Sequence, residues 1–347
     1  MKRIIFQLLL ISSFIFSSCN VDDEYTSDTR ANFDALWKII DEHYCFFEYK
    51  DIDWNAVHEK YSVQLTDSMD KYQLFNLMGK MLAELKDGHT NLISPFNVSR
   101  FWDWNTDYPD NFNAVVHKKY MGNDYNIAGG MRYRILRDSI GYIYYGDFSS
   151  PVNESNLNEI FLHFKDCKAI IFDVRNNGGG TLSTSELIAA RFLDKKRIIG
   201  YIVHKTGPGH NDLSEPHAIE LKPSKYIRWL RPVAVLTNRS CFSATNDFVN
   251  KMKLFPQVTI IGDKTGGGCG LPFHSELPNG WSIRFSSSPI LDADKQITEY
   301  GVDPDIKLDI KDNDQLNNID TIIEEAILFL KEKTQGTNPE ISSAELM

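Results

Sequence analysis

The first part of the chain carries apolar residues at helical spacing. Two stretches between residues 30 and 85 repeat apolar side chains every three or four positions: Phe33, Leu36, Trp37, Ile40 and Tyr44, then Leu74, Met78, Met81, Leu82 and Leu85. This spacing predicts amphipathic helices, so we expect a small helical domain over residues 29–92. Gly88 follows the second stretch and favours the left-handed conformation that ends helices. His89 should therefore lie on the turn that leaves the helix.

Beyond residue 132 the pattern changes to short apolar runs that alternate with helical stretches. The runs expected to be strands cover residues 140–145, 169–174, 198–203, 233–237 and 258–262, and the helical stretches cover 182–193 and 245–254. Strand and helix in alternation predict an α/β core over residues 132–332. Residues 93–131 lack a clear period and are expected to form an irregular connector. The polar tail, residues 333–347, is expected to be disordered.

The N-terminus has the layout of an export signal. Lys2 and Arg3 precede an apolar stretch over residues 4–16, which is followed by small residues and Cys19. This layout predicts a signal peptide over residues 1–18, too short to span a membrane comfortably. The small residues before Cys19 resemble a bacterial lipobox, in which the cysteine is lipidated. An ordinary cleaved signal with an incidental cysteine is the alternative.

If the lipobox functions, the lipid is the only membrane attachment that the sequence implies. An acidic linker over residues 19–28 would then connect the lipid to the folded protein. We expect the chain to be anchored in the outer membrane of a bacterial cell envelope, at either its periplasmic or its exposed face. The oligomeric state is left open.

Composition and charge exclude several classes of protein. The 347 residues are 42% hydrophobic, so the chain can bury a large core. The formal net charge is -10 and no long Lys/Arg block is present, which argues against a nucleic-acid partner. Besides Cys19 the chain has Cys45, Cys167, Cys241 and Cys269, without a CxxC or Cys/His cluster. We therefore expect neither a disulfide scaffold nor a zinc site.

Two predicted strand ends carry candidate chemistry. In the first, DVRNNGGG at residues 173–180, an apolar strand runs into three glycines. Glycines at a strand end can present consecutive backbone N–H groups to a negative oxygen, as in an oxyanion hole or a phosphate cradle. The Lys-Ser/Thr pair of a phosphate-binding loop is absent, which disfavours the second reading. A simple turn is the remaining alternative.

The second strand end, SCFSAT at residues 240–245, leads into a predicted helix. A serine at this turn gains from the helix N-terminus, whose dipole and free N–H groups favour a developing alkoxide or oxyanion. Ser243 therefore has a position suited to a nucleophile. Helix capping is the plain alternative, and Ser240, Ser243 or Thr245 could all perform it.

Four motifs taken together resemble the tail-specific and tricorn-core serine peptidase family. They are LKDGHT at 85–90, DVRNNGGG at 173–180, SCFSAT at 240–245 and ITEYGVDPDI at 297–306. The resemblance implies a crotonase-like α/β core of stacked β-β-α units, with the N-terminal helices bringing His89 over the strand ends. It also implies Ser243 as the nucleophile, with Gly179 and Ala244 as oxyanion-hole donors. Peptides or proteins would be the substrates, and no metal or organic cofactor is expected.

The residue expected to act as general base differs from the one used by one branch of that family. Processing members carry a lysine in the loop after the nucleophile helix, but that position is Gly268 in TGGGCG. Lys264 precedes the loop and would need a different register. The tricorn-like branch uses a histidine, which the resemblance places at His89. Glu299 resembles the acid that orients this histidine.

Other candidates for the same roles rank lower. His274, just after the glycine loop, is the runner-up for the base, and Asp87 and Asp303 are lesser candidates for the acid. Cys241 lies two residues before Ser243 and is interpreted as a packed small residue rather than a nucleophile. Residues 91–131 are too short for the PDZ domain of processing members, so none is expected. A non-catalytic binding module on the same fold and a serine esterase are the alternative functions.

Overall fold

The computed structural model describes residues 28–335. The predicted signal peptide, Cys19 and the acidic linker up to residue 27 lie outside the described residues, as does the predicted tail from residue 336 onward.

Three helices open the described chain: α1 (Thr29–His43), α2 (Trp54–Ser62) and α3 (Lys71–Ala83). An aspartate precedes each helix and accepts a backbone N–H from its first turn; these residues are Asp28, Asp53 and Asp70. Such caps satisfy donors that have no partner within the helix. The apolar faces, with Phe33, Leu36 and Met78, pack together in one core.

The turn after α3 differs from the prediction made for Gly88. Lys86 takes the left-handed conformation (φ 47°), whereas Gly88 has no positive φ. A Cβ atom at Gly88 would lie 2.7 Å from Trp104 Nε1 and 2.9 Å from the Phe242 ring. A glycine therefore fits here because aromatic side chains pack against its backbone. His89 follows on the turn toward the next strand.

The remaining elements alternate between strands and helices. The strands are β1 (Asn91–Ile93), β2 (Val98–Arg100), β3 (Asn126–Ala128), β4 (Met131–Leu136), β5 (Ile140–Tyr144), β6 (Ala169–Asp173), β7 (Arg197–Ile202), β8 (His217–Leu221), β9 (Val233–Thr237), β10 (Val258–Gly262), β11 (Gly270–Glu276), β12 (Ser282–Leu291) and β13 (Ile306–Lys307). The further helices are α4 (Ala114–Met121), α5 (Glu154–His163), α6 (Leu182–Ala189), α7 (Ala244–Lys253), α8 (Asp312–Leu316) and α9 (Thr321–Lys333). None of the helices within residues 28–335 combines the length and apolar composition needed to cross a bilayer.

A seven-stranded sheet has the order β13-β10-β9-β6-β5-β4-β3, with its five strands from β13 to β5 parallel. Helices α5, α6 and α7 contribute to the apolar core on one face, while α9 contributes to the core on the other. Strands β5, β6 and β9 are buried along their whole length. Burial on both faces explains why the sequences of these strands are unbroken runs of apolar residues.

A second sheet has the order β2-β1-β12-β7-β8, and β11 pairs with residues 282–289 of β12, a stretch that includes the residues paired with β1. One of its faces packs on the N-terminal helices, since Leu92, Ile283 and Phe285 belong to the helical core. Strands β8, β11 and β12 were not predicted from the sequence. The sheet brings the turn at His89 next to the glycine loop that precedes β11.

These two sheets with their helices confirm the predicted α/β fold class. Residues 93–131, predicted to be irregular, contribute β2 and β3 to the two sheets and also contain α4. Within residues 28–335 no separate PDZ fold lies between the helices and the core.

Candidate active site

Ser243 lies at the start of α7 in a strained backbone conformation, with φ 59° and ψ -121°. A non-glycine residue with positive φ is held there only by its surroundings, and such strain clusters at functional sites. The Ser243 side chain makes no capping hydrogen bond to the helix. Its Oγ lies instead 2.9 Å from Nε2 of His89. The hydroxyl is therefore available for chemistry rather than used as a cap.

Two glycine-rich loops hold Ser243 in place. The Ser243 N–H donates to the Gly267 carbonyl at 2.8 Å. On the other side, a Cβ atom added to Gly179 would lie 2.8 Å from Ser243 Cβ and 3.0 Å from the Ala244 nitrogen. Gly179 also has φ 106°, which disfavours side chains. Gly179 needs to be glycine because its backbone approaches the serine so closely, whereas a Cβ atom at Gly267 would clash with the Glu299 carbonyl.

Gly268 occupies the position where processing peptidases carry a lysine. It has φ 77°, and a Cβ atom there would lie 2.4 Å from the Phe242 ring. Lys264 points elsewhere, since its Nζ lies 3.4 Å from the Asp303 carboxylate. Neither position supplies an amine to Ser243. The polar side chain in contact with the Ser243 hydroxyl is that of His89.

His89 is 3% exposed, and burial lowers its pKa to about 4. The Asp87 charge opposes this shift, whereas the charges of Arg284 and Lys50 add to it. Nδ1 is buried without a hydrogen bond of normal geometry, although the Gly270 backbone lies close enough to favour the protonated ring. The imidazole is therefore neutral at neutral pH, as a general base must be.

The two candidate carboxylates take different positions around this histidine. Asp87 Oδ1 accepts the backbone N–H of His89 at 2.7 Å, and Oδ2 accepts the Tyr44 hydroxyl at 2.9 Å. Glu299 makes no hydrogen bond to His89. Its Oε2 instead accepts the Cys269 N–H at 3.0 Å. Asp87, ranked lower from the sequence, is thus the carboxylate bonded to the histidine residue.

Lys50 was not predicted from the sequence to be part of the site. Its side chain is 1% exposed, and its Nζ donates to Glu299 Oε1 at 2.9 Å. The same Nζ lies 3.6 Å from Asp87 Oδ2. Lys50 therefore joins both carboxylates in a buried group that we call the lysine cluster (Lys50, Asp87, Glu299). Nothing in the local sequence marks a lysine between two helices as buried, because its burial depends on segments more than 200 residues away.

The ionisation of Glu299 is unusual in this cluster. Burial and the neighbouring Asp87 charge raise its pKa to about 7, and the Lys50 ammonium offsets only part of that effect. Lys50 itself has a raised pKa, because the two carboxylates outweigh the effect of burial. One cation therefore serves two buried carboxylates, and Glu299 changes charge near neutral pH.

The backbone around Ser243 offers donors for an oxyanion. Ala244 is the first residue of α7, and its N–H has no acceptor within residues 28–335. Gly179, the second predicted donor, already donates to Asn177 Oδ1 at 3.0 Å. The N–H of the adjacent Gly178 has no acceptor in the described part of the chain. The Ala244 N–H, directly after Ser243 in the chain, is thus a free donor, and the Gly178 N–H is a candidate second donor because Gly178 lines a cavity together with Ser243.

The lower-ranked candidates lie away from the Ser243 hydroxyl. His274 is exposed on β11, and the Asp303 carboxylate pairs with Lys264. Cys241 is fully buried, its thiol donates to the Val174 carbonyl at 3.1 Å, and burial raises its pKa to about 12. A buried, protonated thiol is a poor nucleophile. The described cysteines are all free: Cys45, Cys167, Cys241 and Cys269.

A second buried charge group lies beneath the first glycine loop. Arg175 makes two hydrogen bonds to the Asp173 carboxylate, at 2.9 and 2.7 Å, and lies 3.0 Å from Asp320 Oδ2. Asp173 also accepts the Tyr142 hydroxyl at 2.7 Å. We call this group the arginine cluster (Arg175, Asp173, Asp320). It ties the end of β6 to the start of α9.

Two cavities open beside the Ser243–His89 pair. One, of about 320 Å³, lies toward α6 and the start of β11, and the other, of about 510 Å³, lies toward β2 and the segment after it. Trp104 stacks on Phe242 along the second cavity, with ring centroids 4.3 Å apart. Arg284 borders both cavities. A cleft with apolar walls and a few polar groups next to a serine suits a peptide segment. No cluster of potential metal ligands occurs among the described residues.

Comparison with known proteins identifies the family of the chain. Residues 139–308 match the model of peptidase family S41, and residues 25–83 match the tricorn protease C1 domain. A solved structure of a candidate peptidase from Parabacteroides merdae is 56% identical in sequence to this chain and has a TM-score of 0.87. The match covers 90% of this chain and 100% of the Parabacteroides chain.

Two curated relatives extend the comparison. The tricorn protease of Thermoplasma acidophilum is 29% identical over 59% of this chain and 18% of its own length. The carboxy-terminal processing protease CtpA of Bacillus subtilis is 25% identical over 62% of this chain and 44% of its own length. The chain thus spans less than half the length of these relatives. The chain belongs to peptidase family S41, within the group of tail-specific and tricorn-like serine peptidases.

Proposed function

We propose that this protein hydrolyses peptide bonds through an acyl-enzyme on Ser243, with His89 as the general base. The observation that carries the proposal is the 2.9 Å distance between His89 Nε2 and Ser243 Oγ in a cleft large enough for a peptide. These groups come from segments 154 residues apart. A binding module would have no need to hold a strained serine against a buried, neutral histidine.

The reaction follows from these positions. His89 Nε2 takes the proton from Ser243 Oγ, and the oxygen attacks the carbonyl carbon of the scissile bond. The histidine then gives this proton to the leaving amine. Water attacks the resulting ester by the same route in reverse and releases the second product. Asp87 favours the protonated histidine that forms in between, because its negative charge raises the pKa of His89.

The negative oxygen of the tetrahedral intermediate needs donors at the start of α7. The Ala244 N–H is free, and the helix dipole adds positive potential there. We assign the second donor to the glycine segment, with the free N–H of Gly178 in the role first expected of Gly179. Gly179 could act only by sharing its N–H with Asn177.

Lys50 and Glu299 act as positioning residues in this proposal. Glu299 does not contact the histidine, so it cannot orient the ring by direct hydrogen bonding. Lys50 Nζ instead donates to the Lys86 carbonyl, in the turn before His89, at 3.1 Å and to Glu299 Oε1 at 2.9 Å. Glu299 Oε2 then accepts the Cys269 N–H at 3.0 Å, so the two residues link that turn with the loop that carries Cys269. This arrangement fixes the base relative to the nucleophile.

Peptide cleavage by paired variants tests the proposal. Cleavage of a mixed peptide library should fall by at least about 10⁴-fold in Ser243→Ala and in His89→Ala, as for other serine peptidases that lose the nucleophile or base. Ser240→Ala and His217→Gln are matched controls and should retain activity, because neither side chain touches the Ser243–His89 pair. Full activity in Ser243→Ala would exclude the mechanism.

We also propose that Cys19 carries a lipid that anchors the protein in the bacterial outer membrane. The support is the signal-like sequence before Cys19. Cells grown with labelled palmitate should incorporate label into the wild type but not into Cys19→Ala, whereas Cys45→Ala should still be labelled. A wild type that remains unlabelled and is recovered in the soluble fraction would contradict this proposal.

A further inference from the structure

A row of basic and amide side chains crosses the second sheet next to the candidate site. Arg284 on β12 lies directly opposite Asn91 on β1 and His274 on β11. Asn91 in turn lies opposite Arg100 on β2. Residues directly opposite on antiparallel strands share a face and lie about 5 Å apart. Arg100, Asn91, Arg284 and His274 therefore form one line, which we call the basic row.

Three members of the basic row, Asn91, Arg100 and Arg284, line the cleft. Leu92 and Ile283, the neighbours of Asn91 and Arg284 along their strands, pack into the helical core. Since successive side chains of a strand point to opposite faces, Asn91 and Arg284 point away from that core. Arg284 borders both cavities together with Ser243.

The two arginines of this row form no ion pair in the described part of the chain. Within residues 28–335 neither Arg284 nor Arg100 lies within ion-pair distance of a carboxylate; Arg100 packs instead over the Trp102 ring, 5.5 Å from its centroid. Burial lowers the pKa of Arg284, and the charge of Asp87, which forms no ion pair with it, offsets only part of that effect. This guanidinium is therefore partly desolvated and has no carboxylate bound to it among the described residues. An anionic ligand would stabilise such a partly desolvated cation.

The rest of the cleft offers no competing acid. Among the described residues that line the two cavities the one carboxylate is Asp247, and it already pairs with Lys251 at 2.5 Å and accepts the Ser185 hydroxyl at 2.7 Å. The protein as a whole has a formal net charge of -10. A positive cleft in an acidic protein indicates selection for negative charge in the substrate.

We propose that the basic row binds a carboxylate of the peptide substrate, with Arg284 as the principal ligand, and so selects acidic peptides for cleavage at Ser243. The guanidinium fork matches a carboxylate in two parallel hydrogen bonds, which gives direction as well as affinity. The carboxylate belongs either to an Asp or Glu side chain or to the C-terminus of the peptide. The inference rests on the proposed function, because it places the subsite next to the proposed nucleophile.

Binding to the full chain carrying Ser243→Ala separates this inference from catalysis. We would use four N-acetylated peptide pools with the same randomised neutral positions and one fixed position: Gln with an amidated C-terminus, Glu with an amidated C-terminus, Gln with a free C-terminus, and Glu with a free C-terminus. Dissociation constants are measured by calorimetry. At least one carboxylate pool should bind about tenfold or more tightly than the neutral pool, and the pool that gains identifies the source of the carboxylate.

The same measurement on added substitutions assigns the preference to the basic row. Arg284→Gln should abolish most of the preference for the carboxylate pools. Arg284→Lys should keep part of this preference, and Arg100→Gln should weaken it. Arg197→Gln, on another strand of the same sheet, is the matched control and should leave it intact. Equal binding of all four pools, or a preference that survives Arg284→Gln in a protein with an unchanged melting temperature, overturns the inference. Failure of the proposed function is detected separately, as absence of peptide cleavage by the wild type.

Discussion

The lysine cluster and the arginine cluster have the same composition but different electrostatics. Each buries one cation with two carboxylates. Burial would raise the pKa of Asp173, but the charge and paired hydrogen bonds of Arg175 outweigh it and lower that pKa. In the lysine cluster, Lys50 helps to lower the pKa of Asp87, but burial and the Asp87 charge together outweigh its effect on Glu299 and raise that pKa to about 7.

The shape of the cation accounts for much of this difference. A guanidinium satisfies a carboxylate through a planar fork and reaches a second acid with its other edge, whereas an ammonium is a single charged point. The arginine cluster therefore keeps its partner Asp173 ionised and supports the glycine loop. In the lysine cluster, Glu299 has a pKa of about 7 and lies near the proposed base. We infer that the first cluster stabilises the fold and the second also affects the reaction.

The largest expected effect comes from breaking the arginine cluster. Arg175→Met leaves two buried carboxylates without a cation, which should lower the free energy of unfolding by about 3–5 kcal/mol. Urea unfolding followed by circular dichroism measures the loss. The variant that remains folded should label at Ser243 with an unchanged dependence on pH. A shifted pH dependence would show that the arginine cluster also tunes the base.

Lys50→Met should lower the free energy of unfolding by about 3 kcal/mol and, unlike Arg175→Met, should also reduce the rate of Ser243 labelling by more than about tenfold. The reason is that Lys50 contacts the turn before His89 at Lys86 and Asp87, and joins it to the Cys269 loop through Glu299. The labelling rate of the folded fraction, measured across pH, separates this effect from instability.

The double variant Lys50→Met/Glu299→Gln serves as the control for charge. Removing the acid along with its cation should restore part of the lost stability, because one buried carboxylate no longer needs a partner. Lys50→Arg should keep more activity than Lys50→Met. If Lys50→Met loses only stability, Lys50 has the same structural role as Arg175 and the contrast between the clusters fails.

The sequence predicted one sheet much better than the other. Strands β5, β6, β9 and β10 coincide closely with apolar runs, since helices cover both faces of that sheet. Strand β11 exposes His274 and Glu276, β12 carries four serines and an arginine among its apolar residues, and Pro272 lies at a register shift between the two strands. Their pairing depends on segments distant in the chain. Local periodicity therefore could not reveal the sheet that carries the basic row.

The candidate site was predictable only where a motif marked it. The family resemblance named Ser243 and His89, and the structure brings their side chains together. The same resemblance gave Glu299 as the acid that orients the histidine, but the structure bonds Asp87 to His89 and Glu299 to Lys50. The Asp87 contact is a local turn to the backbone N–H of His89, two residues further along the chain. The position of Glu299, in contrast, depends on packing between segments distant in the chain, which no local pattern encodes.

Glu299→Gln should change how stability depends on pH. The folded protein raises the pKa of Glu299 from 4.5 to about 7, so it disfavours the charged form. This group therefore lowers the free energy of unfolding as pH rises from about 4.5 to about 7, by at most about 3 kcal/mol. The glutamine variant should lack this fall, whereas the exposed control Glu59→Gln should retain it. Parallel curves for wild type and Glu299→Gln would refute the raised pKa.

The smallest expected effect concerns the pH below which the reaction slows. Because burial lowers the pKa of His89 to about 4, the base stays neutral well below pH 6.5. The rate of Ser243 labelling should fall to half near pH 4, as protonation removes the acceptor for the serine proton. Short incubations at each pH, followed by return to neutral pH, separate titration from unfolding. A midpoint near pH 6.5 would mean that His89 is more solvated than the structure describes.

The most direct test of the central claim is to locate a covalent serine probe. The full chain is treated with a fluorophosphonate, digested and analysed by mass spectrometry, alongside Ser243→Ala, His89→Ala and the control Ser240→Ala. The account predicts one adduct, on Ser243, in the wild type and in Ser240→Ala, with no adduct in Ser243→Ala and strongly slowed labelling in His89→Ala. Folded wild-type protein that forms no adduct, or forms it on another residue, would contradict the assignment of Ser243 and His89 as the catalytic pair.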